Sequence, residues 1–188
     1  MDLRVVKTKK AIRDAFLLIR ERTELERVKV KEICDIALIN KTTFYKYYKD
    51  VSDLSEALEE EIMDDITKEL VDKANFVNES KAFISNMPII LDKHKKELQP
   101  LYSGRFHVLI NSLEERIISY YASAPDNIED EFKLTFMICG VFETIKRAKI
   151  KNKYSDETII EQTSELVERL KTQKPDKYRE HSWFESRD

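Results

Sequence analysis

Hydrophobic residues along this chain recur every three or four positions, the interval that puts a stripe on one face of a helix. Ile12, Ala15, Phe16 and Ile19 predict an amphipathic helix from Thr8 to Arg22. Val30, Ile33, Cys34 and Ala37 make a second stripe of about two turns. Leu38, Ile39 and Asn40 interrupt it, and Asn40 is suited to cap a following helix by accepting a backbone N–H. From Lys41 to Lys49 the next helix keeps Phe44 and Tyr48 on one side. Lys41, Thr42, Thr43, Tyr45, Lys46, Tyr47 and Lys49 are left for the outside. After Asp50, another capping residue, Leu54, Ala57, Leu58, Ile62, Ile66 and Leu70 run down a long helix ending near Lys73.

Asn75 to Ser80 is a turn-rich break. Phe83, Ile84, Met87, Ile90, Leu91 and Leu98 mark the next helix, in which Pro88 predicts a kink or a restart near Met87, since proline lacks the donor and clashes with the preceding turn. Gln99 to Gly104 reads as a further break. Phe106, Leu109, Ile110, Leu113, Ile117 and Tyr120 or Tyr121 form a stripe ending before Pro125. Over 126–150 apolar residues surround the helix, which predicts cover on more than one side. Gly140 at its centre costs about 1 kcal/mol relative to Ala and is expected where another helix comes close. The last helix spans 156–172, with Ile159, Ile160, Leu166, Val167 and Leu170. The tail, 173–188, has Pro175, Trp183 and Phe184 but no helical period, and either hangs loose or docks through Trp183.

Only two Gly and four Pro punctuate 188 residues that are 41% hydrophobic, so the fold class is all-α with room for a sizeable core. Charge is uneven along the chain: residues 1–50 hold 13 Lys+Arg against 8 Asp+Glu, net +5, and the remainder 20 against 28, net −8. One end invites a polyanion and the other repels it. Glu59, Glu60, Glu61, Asp64 and Asp65 on the long helix read as a solvated face rather than a metal or acid/base cluster, having no His at ligand spacing. Cys34 and Cys139 lie in apolar patterns and read as buried thiols of a reducing compartment. No stretch reaches the ~18 consecutive apolar residues of a membrane span, and no signal-peptide run opens the chain, so a cytoplasmic location is expected. His94, His107 and His181 are far apart, and there is no Gly-rich phosphate loop or nucleophile elbow. Neither an enzyme nor a cofactor is expected.

Two short helices joined by a three-residue turn have the proportions of a helix-turn-helix. Ile33, Ala37, Ile39, Asn40, Thr43, Phe44, Tyr45, Tyr47 and Tyr48, with Ile12, Ala15, Phe16, Ile19 and Leu54, resemble the N-terminal pattern of TetR/AcrR-type transcriptional regulators over roughly the first 60 residues. Three positions depart from that pattern. Lys29 stands where the family has a capping Thr, a loss of ~1 kcal/mol, and is free to reach phosphate instead. Leu38 replaces the turn Gly, so a backbone with φ > 0 there is strained and a compensating turn geometry is expected. Val51 replaces a phosphate-holding Lys, with Lys49 the nearest substitute.

The resemblance implies a three-helix DNA-binding domain over 1–50, a helical effector-binding and dimerisation domain over 51–172, and the tail. Thr42, Thr43, Tyr45 and Lys46 are then expected at base edges, and Lys29, Lys41, Tyr47 and Lys49 at phosphates. Double-stranded DNA bearing a palindromic operator is the expected partner, with a homodimer formed through 126–150 and 156–172. A small apolar or amphipathic effector is expected to release a repressor from the operator. Its pocket is expected among Leu58, Ile62, Phe83, Met87, Leu91, Phe106, His107, Ile110, Phe136 and Met137. Those residues fit an ordinary core equally well. His107, Arg105, Tyr102, Tyr120 and Tyr121 are the polar points near them. The alternative is a coregulator of the same fold that works through protein contacts without operator binding.

Overall fold

The computed structural model describes residues 3–121 and 128–172, and among them every regular element is a helix. Three helices open the chain: α1 (Leu3–Arg20), α2 (Val30–Ala37) and α3 (Lys41–Phe44), with a 3-10 turn over Leu25–Arg27 between the first two. The long α4 (Val51–Lys73) leads into α5 (Ser80–Lys93), α6 (Lys95–Tyr102), α7 (Phe106–Tyr121), α8 (Ile128–Lys151) and α9 (Asp156–Thr172). One hydrophobic core runs from Ile12 on α1 to Val167 on α9. Helix α4 packs on α5, α6 and α7, while α9 closes against α5 and α8, and α1 lies across α2 and touches α6.

Several boundaries differ from the periodicity. Helix α1 starts at Leu3 rather than Thr8, so Lys7, Lys9 and Lys10 sit in its second turn. Helix α5 continues through Pro88 without restarting at Met87, because Phe83, Ile84, Met87 and Ile90 on either side of the proline are held in the core. The interruption comes instead at His94, and α6 takes in Gln99 and Pro100, both expected in a loop. The chain turns after Tyr102, where Gly104 adopts φ +71°, open to glycine without penalty.

The carboxylates of α4 are not simply a solvated face. Glu61 pairs with Arg13 of α1 at 2.9 Å, Glu59 with Arg105 at 2.9 Å, and Glu60 and Asp64 together hold Arg116 of α7. Exposed pairs of this kind each contribute on the order of 0–1 kcal/mol, so they fix how helices sit on α4 more than they stabilise the fold.

Helix α8 is covered on one side only within a single chain. Leu134, Met137, Ile138, Val141 and Phe142 are buried, but Ile128, Phe132 and Phe136, at i, i+4, i+8 on one side, are each about two-thirds exposed. A Cβ built on Gly140 would meet nothing within 4 Å, so no described part of this chain approaches it. Cys139 is half-buried rather than buried. Pro125 and the tail with Pro175, Trp183 and Phe184 lie outside the described residues.

Candidate nucleic-acid interface

The outward face of α3 is positioned from behind by one ring. Phe44 is completely buried, edge-on to Tyr45 with ring centroids 5.5 Å apart and tilted against Tyr48 at 5.8 Å. It belongs to the same core as Ile12 and Phe16 of α1 and Ile33 and Cys34 of α2, the helix on which α3 packs. At the helix start Asn40 Oδ1 accepts the Thr43 N–H at 2.7 Å, supplying the cap that its side chain predicts. The same oxygen accepts the Thr43 hydroxyl at 2.8 Å. Thr43 therefore presents chiefly its methyl group outward. The α-helix ends at Phe44, five residues short of the expected Lys49, and Tyr45 to Tyr48 continue as tight turns with Lys46 N–H on Thr43 O and Tyr47 N–H on Phe44 O. At the far end Asp50 caps α4 through the Asp53 N–H at 2.8 Å, while the Asp53 carboxylate accepts the Lys49 N–H at 2.8 Å.

The turn before α3 takes the strained form, not a compensating one. Leu38 has φ 54° and ψ 44°, left-handed backbone, and its N–H closes α2 on Cys34 O. Its side chain is 91% exposed, so packing does not repay the conformation. Lys29 begins α2 with no side-chain cap, and the Glu32 carboxylate reaches back to the Lys29 N–H at 3.4 Å.

Lys29, Lys41, Thr42, Tyr45, Lys46 and Lys49 stand in solvent, and Thr43 and Tyr47 are half-buried. Val51, the uncharged replacement, packs against the core. Helix α1 carries Lys9 to within 5.9 Å of the Tyr47 ring centre and so joins it to this surface. The signal for it was the basic cluster of α1, whose partner only packing reveals.

A crystal structure of a TetR transcriptional regulator from Streptococcus agalactiae 2603V matches the chain with a TM-score of 0.57, covering 87% of this chain and 95% of that one at 18% sequence identity. The chain has the TetR-regulator fold. No family model and no curated protein matches it. No helix among the described residues is long and apolar enough to cross a membrane.

Within this TetR fold a cleft of about 800 Å³ opens between α5, α6 and α7 on one side and the α8–α9 corner on the other. Of the residues expected around a pocket, Met87, Leu91, Phe106 and Ile110 line it. Leu58, Ile62, Phe83 and Met137 instead fill the closed core, because their stripes face neighbouring helices. His107 and Phe136 point to solvent, off the buried faces of α7 and α8. Ile84, Ile145, Ile159 and Ile160 complete walls that the sequence did not assign. Among the polar points only Tyr102 lines the cleft: Arg105 pairs with Glu59, Tyr121 accepts the Phe76 N–H at 2.8 Å, and Tyr120 is exposed.

Proposed function

We propose that this chain is a DNA-binding transcriptional regulator that works as a homodimeric repressor, with residues 1–50 as reader and 51–172 as sensing and pairing body. The observation that carries the reading is Phe44, sealed in the core while Lys41, Thr42, Tyr45 and Lys46 stand in water on the opposite face of the same turn and a half. A short helix and the turn that follows it, offering ammonium, hydroxyl and phenol groups on a rigid base, have the chemistry to enter a major groove. Thr42, the Thr43 methyl, Tyr45 and Lys46 meet base edges, and Lys29, Lys41, Tyr47 and Lys49 hold phosphates.

Pairing is supported by Ile128, Phe132 and Phe136, a stripe that a second copy would cover through α8 and α9, with the open flank of Gly140 admitting a close approach. Two readers would then lie about one helical turn apart, roughly 34–36 Å, on a palindromic operator. An effector in the body lowers operator affinity only by the difference in its binding to the two reader spacings.

A salt titration on an operator-bearing duplex tests this. Lys49→Ala should flatten the slope of log affinity against log salt by about one unit, one phosphate contact. An unchanged slope removes Lys49 from the interface. Absence of any specific complex across the titration overturns the reading in favour of a coregulator working through protein contacts.

A further inference from the structure

We propose that α1 takes part in the DNA interface: Lys9 holds a backbone phosphate of the duplex jointly with Tyr47, supplying a clamp that the start of α4 lacks. The proposal rests on the DNA-binding reading and adds a second helix to it.

The first turn of α4 holds Val51, Ser52, Asp53 and Leu54 and no cation, and Val51 packs against the core. Lys9 brings one from α1. It is exposed, and its ammonium lies 5.9 Å from the centre of the Tyr47 ring, within reach of cation–π attraction. Three carboxylates border the groove that Lys9 lines between α1 and α4, and each is engaged by another cation. Asp14 takes Lys10 at 2.5 Å, and Glu61 and Glu97 take Arg13 at 2.9 and 3.7 Å. Lys9 itself pairs with no carboxylate among the described residues.

An exposed ammonium without a counter-charge, resting on a ring, suits a phosphate for two reasons. It releases a condensed counterion from the duplex when it binds. It also loses less rotamer freedom on binding, because the Tyr47 ring packs against the core and already restricts where the ammonium sits. A phosphate that accepts the Tyr47 hydroxyl lies beside the Lys9 ammonium, so the two donors share it. Ile12 and Phe16 of α1 and Phe44 of α3 belong to one core, so a contact from α1 fixes the tilt of α3 on the backbone as well as its position.

The test is fluorescence anisotropy of the full chain on two end-labelled duplexes, one of random sequence and one bearing the operator, across a salt series. Phosphate contacts carry no sequence information, so the random duplex alone reports on the clamp. Lys9→Ala should flatten the slope of log affinity against log salt by about one unit on both duplexes, and Lys9→Arg should keep it. The control is Lys81→Ala, an exposed lysine at the start of α5, beyond the end of α4 remote from α3, which should leave the slope unchanged. Combined with Tyr47→Phe, Lys9→Ala should cost less than the two single losses together, as expected of two donors on one phosphate. Thermal melts of the same samples establish that the variants are folded. A slope indifferent to Lys9→Ala, a slope lowered equally by Lys81→Ala or lost in Lys9→Arg, additive losses with Tyr47→Phe, or no binding to either duplex overturns the proposal. The regulator reading fails separately: equal affinity for the two duplexes with a slope still set by Lys9 sinks operator recognition and leaves the clamp, while a preferred operator indifferent to Lys9 sinks the clamp alone.

Discussion

Replacing Leu38 with glycine should stabilise the protein, although it deletes a large hydrophobic side chain. Leu38 sits at φ 54°, ψ 44° with 91% of its surface in water, so truncation removes almost no packing. Left-handed backbone costs an L-residue roughly 1–2 kcal/mol. Glycine escapes that cost but loses roughly 0.5–1 kcal/mol more chain entropy on folding. The net is a gain of ~0.5–1 kcal/mol, which for a chain of this size corresponds to a rise in melting temperature of ~1–4 °C. Leu38→Asn, tolerant of this region, should fall between glycine and the natural residue, and Leu38→Val, β-branched, below it. Thermal melts followed by circular dichroism read the order, at one protein concentration because association shifts apparent stability. A lower melting temperature for glycine than for leucine would refute the reasoning, since the side chain would then be making contacts that its exposure denies.

Phe44→Ala should cost ~3–5 kcal/mol by emptying a fully buried site, and should abolish specific DNA binding with it. Urea unfolding and a gel shift on the same preparation check both outcomes. Phe132→Glu, placed on the exposed stripe of α8, should leave the fold intact and yield monomers in sedimentation velocity; an undisturbed dimer would exclude that stripe from the interface. Glu69 titrates at about 2 instead of the ordinary 4.5, held down first by the hydrogen bond from Lys93, with desolvation opposing and His94 and Lys73 adding to the effect. A folded-state value below the unfolded one means that its contribution is complete above pH 4.5 and is lost as the pH falls toward 2. Glu69→Gln should therefore flatten the dependence of urea midpoint on pH across that window, and leave the slope above it unchanged.

What this sequence determined unaided was mostly local. The stripe through Ile12, Ala15 and Phe16, the Asn40 and Asp50 caps, and the burial of Phe44 opposite a polar face all follow from a 3.6-residue period and from side chains that bond within their own turn. Its errors lie where distant parts of the chain meet. Periodicity marks Leu58, Ile62, Phe83 and Met137 as apolar but cannot say whether the facing helix fills the space or leaves it open. Packing closes those positions and opens a cleft one helix over, against Ile145 and Ile159 of the α8–α9 corner. The carboxylates of α4 do keep an exposed face, but their pairing with Arg13, Arg105 and Arg116 from other helices could not be read from α4 alone. Leu38 holds the left-handed turn because α2 and α3 are each anchored in the core through Ile33 and Phe44, and the backbone joining them in three residues has no easier route. Side-chain identity dictates each helix and its apolar face. Only tertiary structure decides which faces meet, because contact between residues far apart in the chain depends on the volumes and orientations of every helix between them.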